Sequence, residues 1–276
     1  MDLWKSALLG LVQGLTEFLP VSSSGHLVLI EHFLHYNAEE NLPLVVVLHA
    51  GTLLATLMVY GGTVKNLLRY LFAEMPRRWK QEGFRAALWT DEQGRLISLI
   101  IIGCIPTALI GFFFKDTFEE LFGSIRTTSI ALAITGILLY TTKGIPQRLR
   151  GTRRNGVWSA FIVGTVQGLA ITPGISRSGS TISAGMWTGL DRRAAADYSF
   201  LLSMPAILGA IFLTLKDISA VPAGGVLGLL VGFVVSGASG YVALRVLLGF
   251  VRRGKLHVFA WYCWVVAAIG LYSSFS

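Results

Sequence analysis

The residues best suited to chemistry lie in one short stretch, QGLTEFLPVSSSGH, from Gln13 to His26. A carboxylate (Glu17), three hydroxyls (Ser22, Ser23, Ser24) and an imidazole (His26) gather there around Pro20 and Gly25. A hydroxyl beside a base is the minimal set for nucleophilic catalysis: Ser23 could attack, with Glu17 or His26 taking its proton. A second stretch, PGISRSGSTIS from Pro173 to Ser183, contributes Arg177. Its planar, permanently charged guanidinium suits bidentate binding of phosphate. Brought together, these groups form a hydrolytic set for a phosphate ester or anhydride.

The two stretches are copies of one another. GLVQGLTEFLPVSSSG from Gly10 aligns without gaps to GTVQGLAITPGISRSG from Gly164, at an offset of 154 and with eight identities in sixteen positions. Gln13, Gly14, Ser22, Ser24 and Gly25 recur as Gln167, Gly168, Ser176, Ser178 and Gly179. What recurs reads as architecture. Pro20 ends a helix, and Ser22 or Ser24 caps the next. Pro173, Gly174, Ser176, Ser178 and Gly179 repeat that chemistry in the second half. Each break then presents a helix start whose amides and dipole favour an anion, phosphate above all. Gln13, Ser22, Ser24, Gly25, Gly174, Ser176, Ser178 and Gly179 are accordingly expected to line a phosphate site. What differs reads as function: Glu17 stands against Ile171, Ser23 against Arg177 and His26 against Ser180. Two plainer readings stay open, namely Glu17 and Arg177 as mere ion-pair partners and His26 as an interior histidine.

The elements that must position these groups are membrane helices. Of the 276 residues, 53% are apolar and only 14% charged, against about a quarter charged in soluble domains. Segments near 42–62, 96–114, 125–142, 198–215, 224–248 and 257–274 approach the ~20 residues that a bilayer crossing needs. The start is not expected to be a cleaved signal peptide, because Lys5 is a weak basic region and Glu17 interrupts the apolar run. Residues 1–41 and 156–190 each hold two short apolar runs split by Gly, Pro and Ser. These read as re-entrant hairpins, near 3–35 and 156–190, which membrane depth tolerates only inside protein or against a wet cavity.

Charge supplies the orientation. Lys65, Arg69, Arg77, Arg78, Lys80, Arg85 and Arg95 fall in 63–95, and Lys143, Arg148, Arg150, Arg153 and Arg154 in 143–154. Arg192 and Arg193 follow a third apolar stretch, and Arg252, Arg253 and Lys255 a fourth. The positive-inside rule makes these loops cytoplasmic. The net charge of +8 is thus a topology signal with some attraction for anionic lipid, and nucleic acid is not an expected partner. Glu31, His32, His35, Glu39 and Glu40 then mark the outer interface, while His49 sits undecided in a crossing helix. Each half is one hairpin plus three crossings, and an odd number of crossings turns the second half (156–276) upside down relative to the first (1–142). Inverted repeats of this kind put a binding site near the midplane, where the breaks meet.

Metal patterns are weak. Cys104 and Cys263 lie in apolar segments as small packing residues, and no zinc or iron spacing occurs. Glu17 together with a diphosphate could hold one Mg²⁺ or Ca²⁺.

On QGLTEFLPVSSSGH and PGISRSGSTIS, the chain resembles the undecaprenyl-diphosphate phosphatase family of bacteria, known also for bacitracin resistance. The likeness runs over essentially the whole chain in length and order of apolar segments. It implies an all-α integral membrane enzyme of the cytoplasmic membrane that hydrolyses undecaprenyl diphosphate to the monophosphate carrier lipid, with divalent-cation dependence. It implies a site reached from the outer face, with Ser23 as proposed nucleophile, His26 as acid, base or rival nucleophile, and Arg177 as phosphate clamp. The family has Glu or Gln at the first motif position. Here it is Gln13, which cannot ionise, leaving Glu17 as the carboxylate. The partners expected are the polyprenyl diphosphate and membrane lipid, with self-association left open. An anion transporter or lipid flippase is the rival class, since opposed broken helices also build transporters. The unequal chemistry of the two breaks favours an enzyme.

Overall fold

The computed structural model describes residues 3–34, 42–146, 156–214 and 225–275. His35, Glu39, Glu40 and the arginines of 148–154 lie outside them. The described chain is helical, with no strand among those residues. Two pairs of helices each enclose a break in the chain: α1 (Leu3–Phe18) with α2 (Ser23–Leu34), and α9 (Val157–Leu169) with α10 (Arg177–Trp187). Each pair is a helical hairpin, broken at residues 19–22 and at 170–176.

The others form the scaffold: α3 (Leu42–Arg69), α6 (Glu92–Phe113), α8 (Ile125–Thr141), α11 (Arg192–Thr214), α12 (Val226–Arg252) and α13 (Phe259–Ser273). These fall within the six helical stretches long and apolar enough to cross a membrane, and the protein is multi-pass. The basic stretch 63–95, read from sequence only as a loop, is helical instead. α3 runs into a π-helical turn at Tyr70–Glu74, then α4 (Met75–Glu82) and α5 (Phe84–Trp89). Charge patterning reports the side of a membrane and is silent on conformation, and these Arg, Lys, Glu and Ala residues are good helix formers. Arg78 reaches Glu82 one turn on and Asp91 at the foot of α6, while the Tyr70 hydroxyl donates to Ala87 O at 2.5 Å. The acidic connection near 115–124 holds another short helix, α7 (Lys115–Phe122).

Hairpins and scaffold interlock across the halves. α1 packs on α12, and α9 packs on α6. Both contacts run through matched glycines. A Cβ on Gly10 would lie 2.8 Å from Gly232 O, and one on Gly164 would strike the Gly103 carbonyl outright. Gly10 and Gly164 therefore recur because backbone meets backbone there. The apolar core gathers beneath the breaks from Phe18, Ile182, Phe200, Leu244 and Cys263, each at most 1% exposed.

Candidate functional site

The two breaks meet. A Cβ on Gly25 would lie 3.0 Å from Gly174 Cα, and one on Gly179 3.0 Å from Pro20 Cβ. Since Gly25 matches Gly179 and Pro20 matches Gly174, each helix start rests on the partner's turn. The caps are equivalent too. Ser22 Oγ accepts from Gly25 N–H at 3.2 Å, and Ser176 Oγ from Gly179 N–H at 3.1 Å. Ser24 and Ser178 lie 3.2 and 3.3 Å from those caps. Ser178 also donates to Phe18 O at 3.0 Å, satisfying a carbonyl at the end of α1.

The turns themselves are not identical. Ser22 holds a left-handed φ of 69°, alone among the described non-glycine residues, whereas the second break spends Gly174 at φ 93°. Serine in that region is strained by roughly 1–2 kcal/mol. The second turn is tied instead to α8, where Thr135 Oγ1 donates to Gly174 O at 2.8 Å and accepts from Ser176 N–H at 3.0 Å.

Glu17 is the hub of the unshared residues. Its Oε2 accepts from Ser23 Oγ at 2.7 Å and from Gln13 Nε2 at 3.1 Å, and its Oε1 is paired with Arg177 Nη2. The Glu17 side chain is 8% exposed and that of Arg177 16%, so the pair is screened little by solvent. Gln13 is fully buried, yet its Oε1 has no partner among the described residues; Arg177 Nη1 is likewise buried and without a partner among them. One acceptor and one charged donor are thus left over beside a hydroxyl that already donates to a carboxylate. Unsatisfied buried groups of this kind are costly unless a ligand or water completes them.

His26 has partners of its own. Its Nδ1 donates to Ser22 O at 2.7 Å, and its Nε2 accepts from the Tyr262 hydroxyl at 2.8 Å. The structure thereby joins Gln13, Glu17, Ser23 and Arg177 directly, and brings Ser22, Ser24, Gly25, Gly174, Ser176, Ser178 and Gly179 around them as the shared turn. His49 is fixed by its Nδ1 on Val45 O at 2.9 Å, one turn back along α3. His32 is exposed and meets Ser273 at 3.1 Å. Sequence reasoning missed Thr135 and Tyr262. Both lie inside apolar segments at no telling spacing from either motif, and only the fold puts them beside the breaks.

Residues 6–269 match the family model described as bacitracin resistance protein BacA. The chain belongs to the BacA family. A protein of Desulfatibacillum aliphaticivorans named undecaprenyl-diphosphatase is 45% identical over 269 residues, covering 97% of each chain. One of Halothermothrix orenii with the same name is 42% identical over 96% of each. A third, from Methanobrevibacter smithii, is 37% identical over 98% of this chain and 96% of its own. A BacA chain thus has Glu17, Ser23 and Arg177 in one hydrogen-bonded unit.

Proposed function

We propose that this BacA protein hydrolyses undecaprenyl diphosphate to undecaprenyl phosphate and inorganic phosphate, recycling the carrier lipid for cell-wall synthesis. The name carried by its relatives supplies the substrate, and the 2.7 Å bond from Ser23 Oγ to Glu17 Oε2 carries the chemistry. In this reading the unpartnered Arg177 Nη1 binds oxygens of the terminal phosphate, helped by the first amides of α2 and α10. Glu17 takes the Ser23 proton as Oγ bonds to the terminal phosphorus. The bridging P–O bond breaks and undecaprenyl phosphate departs. Water then cleaves the phosphoserine, releasing phosphate and restoring the hydroxyl, with His26 serving as acid or base on the second step. Ser23 is preferred over His26 as nucleophile because its hydroxyl already donates to a carboxylate that can take the proton.

A divalent cation fits the same corner. Among the described residues no cluster of three or more His, Cys, Asp and Glu could enclose one. Glu17 and the orphaned Gln13 Oε1 offer the oxygen donors that Mg²⁺ or Ca²⁺ prefers, with diphosphate oxygens completing the set. Bound there, the ion would neutralise charge on the diphosphate.

The two halves are read as inverted repeats in the bacterial cytoplasmic membrane, with the site open to the outer face. Support comes from the reciprocal contacts at Gly25–Gly174 and Gly179–Pro20, as a two-fold relation demands. Further support comes from the basic residues at 63–95, 192–193 and 252–255.

The test supplies purified protein with a polyprenyl diphosphate, with and without divalent cation, and measures released phosphate. Release dependent on the cation is expected. Uptake into sealed vesicles without hydrolysis would replace the enzyme by a transporter.

A further inference from the structure

Away from the breaks, three parts of the chain meet in a basic corner: the end of α8, the start of α11 and the turn between α12 and α13. The Arg192 guanidinium joins them. Its Nη2 donates to Ile145 O at 3.3 Å. It lies against Gly254, which holds a left-handed φ of 67° and where a Cβ would strike Arg192 Nη1. The single turns at Thr142–Gly144 and Leu256–Val258 pack together in the same corner. Thr135, the α8 residue that ties down the second break, is about 15 Å from Ile145 at helical rise. The corner is therefore separate from the Glu17–Arg177 site.

Positive charge at a membrane surface is by itself a topology signal. Arg192 goes further, because its guanidinium is drawn in from solvent with no acid to meet it. Its Nε is buried without a partner among the described residues, and so is His257 Nδ1 in the adjoining turn. The acids of α11 and its cap are taken. Asp191 accepts from Ala194 N–H at 2.8 Å; Asp197 accepts from the Tyr60 hydroxyl at 2.9 Å and has Arg193 Nε 3.7 Å from its other oxygen. Arg252, Arg253 and Lys255 stand exposed around Gly254. Like Arg192, they have no ion-pair partner among the described residues. Cations gathered this way repel one another, and an anion placed among them relieves the repulsion.

The depth of the corner says which anion is within reach. About one turn further along α8 and α13, Tyr140 and Trp261 meet edge to face, 41% and 63% exposed, and Lys143 lies over the Tyr140 ring. Half-exposed aromatics of this kind mark the level of lipid headgroups. We propose that the corner is a binding site for the phosphate of an anionic lipid headgroup. Arg192 Nη1, which no described residue engages, donates to the phosphate oxygens, and Arg253 and Lys255 add charge from the turn. The bound lipid ties α8, α11 and the α12–α13 turn to the bilayer surface. None of the residues proposed for hydrolysis takes part, so this site stands or falls independently of the phosphatase reading.

The experiment titrates delipidated protein in neutral detergent with dioleoylphosphatidylglycerol or dioleoylphosphatidylcholine and counts bound lipid by native mass spectrometry. It compares wild type, Arg192→Gln, the double variant Arg253→Gln/Lys255→Gln, and Arg177→Ala. Wild type should bind phosphatidylglycerol about tenfold or more tighter than phosphatidylcholine. Arg192→Gln and the double variant should each weaken that binding about tenfold or more, the effect of losing charge-assisted contacts. Arg177→Ala should bind the lipid as wild type does, because its guanidinium belongs to the other site. Arg192→Gln also gives up the bond to Ile145 O; if its size-exclusion profile shows misfolding, the double variant at exposed positions decides. Equal binding of the two lipids, undiminished phosphatidylglycerol binding in the double variant, or a loss confined to Arg177→Ala would overturn the proposal. Inorganic phosphate should compete weakly. Phosphate that displaces the lipid at equal concentration would overturn the lipid as ligand and leave a site for the free anion.

Discussion

Ser22 and Ser23 are adjacent and chemically identical, yet the structure gives them opposite jobs. Ser22 is 3% exposed, holds φ 69° and spends its hydroxyl capping Gly25 N–H. Ser23 is only partly buried and donates to Glu17 at 2.7 Å. Replacing Ser22 by Ala removes the cap, worth about 1 kcal/mol, and keeps a side chain in the left-handed region. For a protein of this size that is a loss of about 2–4 °C in Tm. Ser22→Gly also gives up the cap, but it releases roughly 1–2 kcal/mol of backbone strain, so its stability should equal or exceed wild type. Neither change touches Glu17 or Arg177, and turnover should stay within a few-fold. Ser23→Ala inverts the pattern. It loses one hydrogen bond to a carboxylate that keeps Gln13 and Arg177, costing about 1.5–3 kcal/mol at most. It removes the attacking atom, and turnover should fall by at least ~10³-fold. Thermal unfolding in detergent and phosphate release on the same preparations separate the two effects. Equal loss of turnover in Ser22→Gly and Ser23→Ala would mean both serines shape the turn and neither attacks phosphorus.

Arg177→Lys keeps the charge but not the fork that spans Glu17 and leaves Nη1 for a ligand; KM for the diphosphate should rise about tenfold or more, read from initial rates. Gly164→Ala should fail to accumulate as folded protein, because its methyl would meet the Gly103 carbonyl, whereas Gly61→Ala, with open space around it, should behave as wild type in size-exclusion profiles. Thr135→Val should destabilise the second break by about 1–3 kcal/mol, since Gly174 O and Ser176 N–H both lose their buried partner; its Tm in detergent should fall accordingly. Gln13→Leu removes the orphaned Oε1 together with the Nε2–H bond to Glu17, leaves the Arg177 pair, and should raise the divalent-cation concentration needed for half-maximal activity in a cation titration.

Much of this was readable from the residues because a repeat supplies its own control. Subtracting Gly164–Gly179 from Gly10–Gly25 left Glu17, Ser23 and, one position on, His26, and two of the three now sit with Arg177 in one hydrogen-bonded unit. The recurring glycines and serines proved to be helix contacts and caps, which local propensity anticipates. The six crossings followed from length and hydropathy. The left-handed Ser22 was not legible, since serine gives no local signal for positive φ and Gly174 does the equivalent work two residues earlier in the other half. Nor were Thr135 and Tyr262, whose roles depend on which helix faces the break. The helical 63–95 region was hidden for another reason: its charges report a side of the membrane, and conformation there is decided by helix propensity and by Tyr70 and Arg78.

The central claim is that Glu17 from one hairpin and Arg177 from the other serve one hydrolytic site. Its most direct measurement is phosphate released from a polyprenyl diphosphate by purified, correctly folded wild type, Glu17→Gln and Arg177→Ala. The account predicts steady release by wild type and a loss of at least ~10²-fold in each variant. Undiminished release in both variants, or none from wild type, would contradict it.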